Sequence, residues 1–221
     1  MEVKILDVKK DILANNDKNA EILRQKLKNS KTFLMNLMSS PGSGKTSTLV
    51  QTIMRLKDKL KIGVMEADID GDVDARTIAD LGVRSVQLHT GGMCHLEVNM
   101  TEQGLAELGA DDLDLVVIEN VGNLICPAEF DTGAVKNVMI LSVPEGDDKP
   151  LKYPLMFSTV DAVLVNKIDT LPYFDFDMEN LKSYVKKLNE KAEIFAISAK
   201  SGEGIDAWTS WLYEQVLEWK M

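Results

Sequence analysis

The sequence predicts an α/β fold, a mostly parallel sheet flanked by helices on both faces, and three features carry that prediction. Apolar runs at 33–38, 61–66, 84–89, 115–119, 136–143, 161–167 and 193–198 alternate with stretches of helical periodicity. Many of these runs are uninterrupted Val, Ile, Leu and Met, the pattern of strands covered on both faces and hence of a parallel sheet. With 221 residues, 45% of them hydrophobic, the chain can bury one substantial core.

Ahead of the first strand, Ile5, Val8 and Ile12, then Ala20, Leu23 and Leu27, recur among lysines, with Asn15-Asn16-Asp17 between them. Two short amphipathic helices are expected there, an extension over 1–30 ahead of a domain over 31–221. Packing against the domain and docking of a partner both produce such a pattern, and the residues do not choose. At the other end, a helix from about Ile205 to Trp219 puts Trp208, Leu212 and Val216 on one face, with Trp211 and Trp219 beside it, a core-packing stripe. Lys+Arg 25 against Asp+Glu 35 gives a net charge of −10, which argues against nucleic acid as a partner because no cation excess exists to displace counterions. No segment approaches the roughly 18 uncharged apolar residues of a membrane span, so a cytoplasmic location is expected. Two cysteines, Cys94 and Cys126, are too few for a disulfide framework and read as reduced thiols.

Ser39-Ser40-Pro41-Gly42-Ser43-Gly44-Lys45-Thr46 joins the first strand to a helical pattern. Small residues let the backbone curl so that successive N–H groups point inward, and the following helix adds its positive end, which makes an anion site. Gly42, Ser43, Gly44, Lys45, Thr46 and Ser47 are the phosphate contacts expected of a P-loop, with Lys45 as the cation on the β/γ-phosphates and the Thr46 hydroxyl on Mg²⁺. Ser39 stands where the strict pattern has Gly, a minor departure if its φ is negative. Strand 115–119 ends in Glu119 and is followed by Gly122, which fit a carboxylate holding Mg²⁺ and an N–H sensing the γ-phosphate.

Asn166-Lys167-Ile168-Asp169 ends another buried strand, where ligands bind in open α/β sheets. A carboxylate at Asp169 accepts from both the ring N–H and the exocyclic amine of guanine, and such a site discriminates against other bases by about 10⁴-fold. Lys167 would lie along the base, Asn166 would tie this loop to the phosphate loop, and Ser198-Ala199-Lys200 would add a contact through the Ala199 N–H to guanine O6. Guanine nucleotides, GTP and GDP, are therefore the expected ligands.

In 66–74 the acidic run Asp68, Asp70, Asp72 and Asp74 is either a solvated loop or, facing a triphosphate, the neighbourhood of Mg²⁺ and an attacking water. The second reading makes Asp68 a catalytic candidate beside Lys45 and Glu119, and Asp68 and Asp74 part of the Mg²⁺ shell. Cys94-His95 and Cys126 follow two strands of the same sheet. Cys and His suit Zn²⁺ or Ni²⁺, three ligands being one short of a closed tetrahedron, while inert buried cysteines are the competing explanation. His89, at a strand end, reads as structural.

Taken together, 39–46, Cys94-His95-Leu96, the long segment Glu119 to Asp131, Glu145-Gly146-Asp147-Asp148-Lys149-Pro150 and Asn166-Lys167-Ile168-Asp169 resemble the HypB family, GTPases of the SIMIBI class that help load nickel into nickel-iron hydrogenase. The resemblance implies a metal site for nickel or zinc at Cys94, His95 and Cys126, near a GTP-dependent homodimer interface. It implies a HypA-type nickel chaperone and a hydrogenase large-subunit precursor as partners. The mixed-charge, Pro-braced loop 144–152, at a place where HypB-like proteins are expected to dimerise, is either a plain solvated loop or the dimer contact, with Lys152 reaching the partner's nucleotide. A urease-type nickel-insertion GTPase is the alternative, disfavoured because Cys126-Pro127-Ala128 lacks the Cys-Pro-His run; a structural zinc protein with a vestigial nucleotide site is the other. The cysteine- or histidine-rich nickel tail of some members is missing from this sequence, so tail-based metal storage is not expected, and Gly71 stands where many members have Thr.

Overall fold

A computed structural model of the protein describes residues 8–68 and 77–221, with the backbone alone for 8–11 and 68. Seven strands follow the expected runs: β1 (Phe33–Ser39), β2 (Ile62–Asp68), β3 (Arg84–His89), β4 (Leu115–Glu119), β5 (Lys136–Ser142), β6 (Ala162–Asn166) and β7 (Glu193–Ala196). They form one sheet in the order β3-β2-β4-β1-β5-β6-β7, and every neighbouring pair is parallel. All seven residues of β1 are buried, Asn36 and Ser39 included, as the mostly apolar sequence of a central strand demands.

Alternation along β1 sends its side chains to two faces. Phe33, Met35 and Leu37 pack with α2 (Lys45–Leu56) and the last helix, α8 (Ile205–Lys220). Leu34 packs on the other face with α1 (Val8–Ser30) and α3 (Val98–Leu108). Met38 joins a third cluster under α6 (Pro154–Thr159) and α7 (Met178–Leu188). Two short helices, α4 (Cys126–Glu129) and α5 (Lys149–Lys152), lie between these. Among the described residues no helix is long and apolar enough to cross a membrane.

The amino-terminal region differs from the expectation of two helices. A single helix α1 runs through Asn15-Asn16-Asp17 without a break. Asn destabilises a helix interior when its side chain competes for local backbone groups. Here the Asn16 amide bonds instead to distant partners, Asp131 O and the Val98 N–H, so nothing local interrupts the helix. Ala20, Leu23 and Leu27 of α1 are buried in the same cluster as β1 and β4, so the segment expected as an extension packs into the sheet's own core.

The aromatic stripe of α8 is core, as its spacing predicts. Trp208 is fully buried, stacks on Trp211 at 5.5 Å and donates from Nε1 to Thr52 Oγ1 at 2.9 Å, tying α8 to α2. Trp219 donates to Thr32 O at 2.9 Å. The register aligns the strands' carboxyl ends: Leu37 pairs with Glu119, and Ser142 with Asn166. Trp208→Ala should lower unfolding free energy by about 3–5 kcal/mol in urea titrations, whereas Leu217→Ala on the exposed side of α8 should cost under about 1 kcal/mol.

Candidate functional site

The turn between β1 and α2 is open at the helix start. Gly44 caps α2 at φ 95° and offers no side-chain cap, and the first turn carries no acidic residue of its own, which suits the positive helix end to an anion. Gly42 has φ 74°. Ser39 ends β1 in ordinary strand conformation, so the departure from Gly costs nothing there. Lys45 Nζ donates to Ser39 Oγ at 3.1 Å, which turns the ammonium back over the turn. Ser47 is exposed beside it.

The predicted base loop closes directly on this turn. Asn166 Nδ2 donates to Ser43 O at 2.9 Å, and its Oδ1 accepts from the Lys167 N–H at 2.7 Å and the Ala199 N–H at 3.0 Å. The Ala199 N–H, expected to be available to guanine O6, is thus engaged by Asn166 in this structure. Lys167, at φ 63°, donates from Nζ to Gly42 O at 2.6 Å. Ser198 Oγ donates to Asp169 Oδ1 at 2.6 Å, holding the carboxylate on which guanine recognition is expected, and Lys200 is exposed next to it.

At the end of β4 the Thr46 hydroxyl donates to Glu119 Oε1 at 2.9 Å. Two hard oxygen donors at an anion site are what Mg²⁺ takes in such a position. The backbone then turns against the phosphate loop: a Cβ on Gly122 would stand 3.1 Å from Pro41 Cγ and 3.2 Å from the Pro41 nitrogen. Asn123 Oδ1 next accepts from the N–H groups of Ile125 at 2.7 Å and Cys126 at 3.3 Å, starting α4. The side chain of Asp68 and the whole of Asp70, Gly71, Asp72 and Asp74 lie outside the described residues.

Cys94, His95 and Cys126 come together, their ligand atoms within 4.8 Å of one another. The two sulfurs are 2.6 Å apart as free thiols, and Cys94 Sγ is 3.9 Å from His95 Nδ1. His95 Nε2 is buried and makes no hydrogen bond among the described residues, with Glu97 Oε1 3.7 Å away. The hydrogen bond with Cys94, then burial, raises the Cys126 thiol above its ordinary pKa. An ion that takes thiolate and imidazole fits this donor set, and in binding it would displace the thiol protons. His89 ends β3 on the surface, outside this group.

Residues 33–196 match the family described as CobW/HypB/UreG, nucleotide-binding domain. Hydrogenase maturation factor HypB from Escherichia coli strain K12 is 45% identical over 212 residues, covering 96% of this chain and 73% of that protein. The crystal structure of HypB from Helicobacter pylori in complex with nickel matches with a TM-score of 0.86 at 39% identity, over 92% of this chain and 96% of that one. The crystal structure of the hydrogenase maturation factor HypB from Archaeoglobus fulgidus also matches at TM-score 0.86, with 36% identity, over 92% of this chain and 100% of that one. The chain belongs to the HypB family.

Several residues that shape this HypB-family site were given no role of their own from the sequence. Asn36, in the middle of β1, donates to Asn137 Oδ1 at 3.0 Å and accepts from Asn120 Nδ2 at 3.0 Å, and Asn120 Oδ1 in turn accepts from the Val121 N–H at 2.8 Å. Phe130 stacks on the His95 ring at 3.7 Å. Glu145 accepts from the Ser40 hydroxyl and from Ser142, which fastens the loop 143–152 to the phosphate turn. A polar residue in an apolar strand run was the available signal for Asn36; nothing in the spacing singled out Phe130. Gly44→Ala should abolish GDP and GTP binding in calorimetric titrations while the far-ultraviolet spectrum is kept, because a Cβ there would meet Asn166 Nδ2 at 2.5 Å at a φ that only Gly takes readily.

Proposed function

We propose that this chain is a GTP-hydrolysing metallochaperone that couples GTP binding and hydrolysis to nickel delivery during nickel-iron hydrogenase maturation. One observation carries the reading. A single short run of chain begins at Glu119 on the Thr46 hydroxyl, passes Gly122 against Pro41 and ends at Cys126 among the candidate metal ligands. A γ-phosphate contacting the Gly122 N–H would move this run and the Cys126 backbone together.

In the hydrolytic site Lys45 and the free N–H groups of α2 offset phosphate charge, Asp169 selects guanine with Asn166, Lys167, Ser198 and Ala199 holding its loop, and Lys200 lies at the rim. Thr46, Glu119, Asp68 and Asp74 are the proposed Mg²⁺ shell, the ion supplying charge to the transferring phosphoryl group, and Asp68 is proposed to orient the attacking water. Nickel is the proposed cargo at Cys94, His95 and Cys126, the chemistry named for the Helicobacter pylori relative; Zn²⁺ suits the same donors in a tetrahedral arrangement.

A GTP-bound homodimer is proposed to meet through the loop 144–152, which Glu145 holds beside the phosphate turn. In the single chain Lys152 Nζ is paired with Asp148 at 2.5 Å on an exposed face, and the pair holds the Asp148 carboxyl below its usual pKa. An exposed pair of this kind contributes little, so Lys152 is readily released to a partner's nucleotide. A HypA-type chaperone and the hydrogenase large-subunit precursor complete the proposal, in the cytoplasm.

Phosphate release with Mg²⁺ should be seen with GTP and not ATP, and should be lost in Lys45→Ala; normal GTP turnover in that variant contradicts the site. Asp169→Asn should weaken GTP and favour xanthine nucleotides, since the amide donates to a carbonyl that the carboxylate repels. Sedimentation with a GTP analogue should show a wild-type dimer that Lys152→Ala weakens, and identical dimerisation counts against Lys152.

A further inference from the structure

The three candidate metal ligands are carried by two stretches whose parent strands are not neighbours. Cys94 and His95 follow β3, Cys126 lies beyond β4, and β2 separates those strands in the sheet. Unless the protein holds the two arms at ligand distance, an incoming ion must order them itself, and affinity falls by the cost of that ordering. Within the site the Cys94–Cys126 contact and the stack of Phe130 on His95 link the arms, and both are side-chain contacts at the ligands themselves.

A backbone clamp lies one layer further out, on α1. Asn16 is 5% exposed, and both ends of its amide are used. Its Oδ1 accepts from the Val98 N–H at 3.0 Å, and its Nδ2 donates to Asp131 O at 2.8 Å. Val98 opens α3 just after His95, and its N–H is one of the free donors of a helix start that the N-cap residue Glu97 leaves without a side-chain bond. Asp131 directly follows Phe130 and stands just past α4, whose first residue is Cys126. One side chain thus bridges the backbone of the His95 arm to the backbone of the Cys126 arm.

Two turns along the same face of α1, Arg24 repeats the grip. Its Nε donates to Ala134 O at 3.1 Å, and its Nη2 pairs with the Asp131 carboxylate, whose other oxygen accepts from the Gly133 N–H at 2.8 Å. Leu23 fills the space over Gly133, where a Cβ would come within 2.6 Å of Leu23 Cδ2. Asp131 is therefore fixed from both its carbonyl and its carboxylate.

We propose that Asn16 is a positioning residue of the metal site: its amide clamps the two ligand-bearing arms together, so that α1 sets the separation of His95 and Cys126 before an ion binds. The inference rests on the metal reading of Cys94, His95 and Cys126. A purely structural role would lower stability and leave metal affinity unchanged, which makes the two roles separable. Partners one layer out from metal ligands typically change affinity by about 10–100-fold, which sets the size of the effect.

The test is Ni²⁺ titration of the full chain, followed by thiolate-to-metal charge-transfer absorption, with GDP affinity measured in parallel. Asn16→Ala should bind Ni²⁺ about 10–100-fold more weakly with an altered absorption band, while GDP affinity stays at the wild-type value. Cys94→Ala serves as the reference that loses the site. Binding lost in Cys94→Ala but unchanged in Asn16→Ala overturns this inference alone, whereas stoichiometric binding that survives in Cys94→Ala overturns the metal reading and this inference with it. If Asn16→Ala does not fold, hydrogen exchange on the wild type decides: by linkage, Ni²⁺ should slow exchange of the Val98 amide, and unchanged exchange there overturns the proposal.

Discussion

Asn166 is where the phosphate turn, the base loop and the far side of the sheet are tied into one object. Its amide donates to Ser43 O and accepts from the N–H groups of Lys167 and Ala199, while Gly44 leaves no room for any side chain between them. The anchor works because β5 and β6 pair in parallel register with Ser142 beside Asn166, so the residue emerges at the same edge of the sheet as the end of β1. Buried polar groups that are fully bonded fix geometry sharply, because each broken bond would leave a group unpaired in a low-dielectric interior. An anion site preformed in this way does not have to be ordered by the nucleotide.

A second set of buried amides extends that order towards the candidate metal ligands. Asn137, Asn36 and Asn120 span β5, β1 and the end of β4, and the Asn120 N–H also donates to Leu37 O at 2.9 Å. Asn120 immediately precedes the turn at Gly122, so the ladder sets where that turn starts, and Pro41 limits how far it can shift. Asn123 then carries the constraint into α4 by bonding the Ile125 and Cys126 N–H groups, and its Nδ2 lies 3.7 Å from Cys126 Sγ. The nucleotide pocket and the thiol pair are thus separated by a few residues of chain that has little slack.

The strands were legible because most of them carry long runs of Val, Ile, Leu and Met, β3 with Arg84, Ser85, Gln87 and His89 being the least apolar, and the nucleotide residues were expected because Gly, Lys and Asp in those positions answer to the geometry of phosphate and base. The amino-terminal helix was misread at Asn16, since local propensity treats Asn as a breaker and has no knowledge of a partner 115 positions away. Asn36 was hidden for the same reason: a lone polar residue in an apolar strand is informative only when its partners, Asn137 and Asn120, are known. The pairing of Cys94-His95 with Cys126 was suggested by their placement after two strands of one sheet, while the Phe130 stack and the Asn16 clamp join residues far apart in the chain. Contacts between residues far apart in sequence, hydrogen bonds for Asn16 and Asn36 and a ring stack for Phe130, account for these omissions.

In the proposed function nucleotide and metal act on one mechanical element, the chain from Glu119 to Cys126. The most direct measurement is the affinity of the wild-type chain for a non-hydrolysable GTP analogue with and without saturating Ni²⁺, repeated on Cys126→Ser. A shared element requires the metal to change nucleotide affinity by about 5–150-fold, the usual size of coupling between linked sites, and requires the change to vanish in Cys126→Ser. The same analogue affinity with and without Ni²⁺ in the wild type would contradict it.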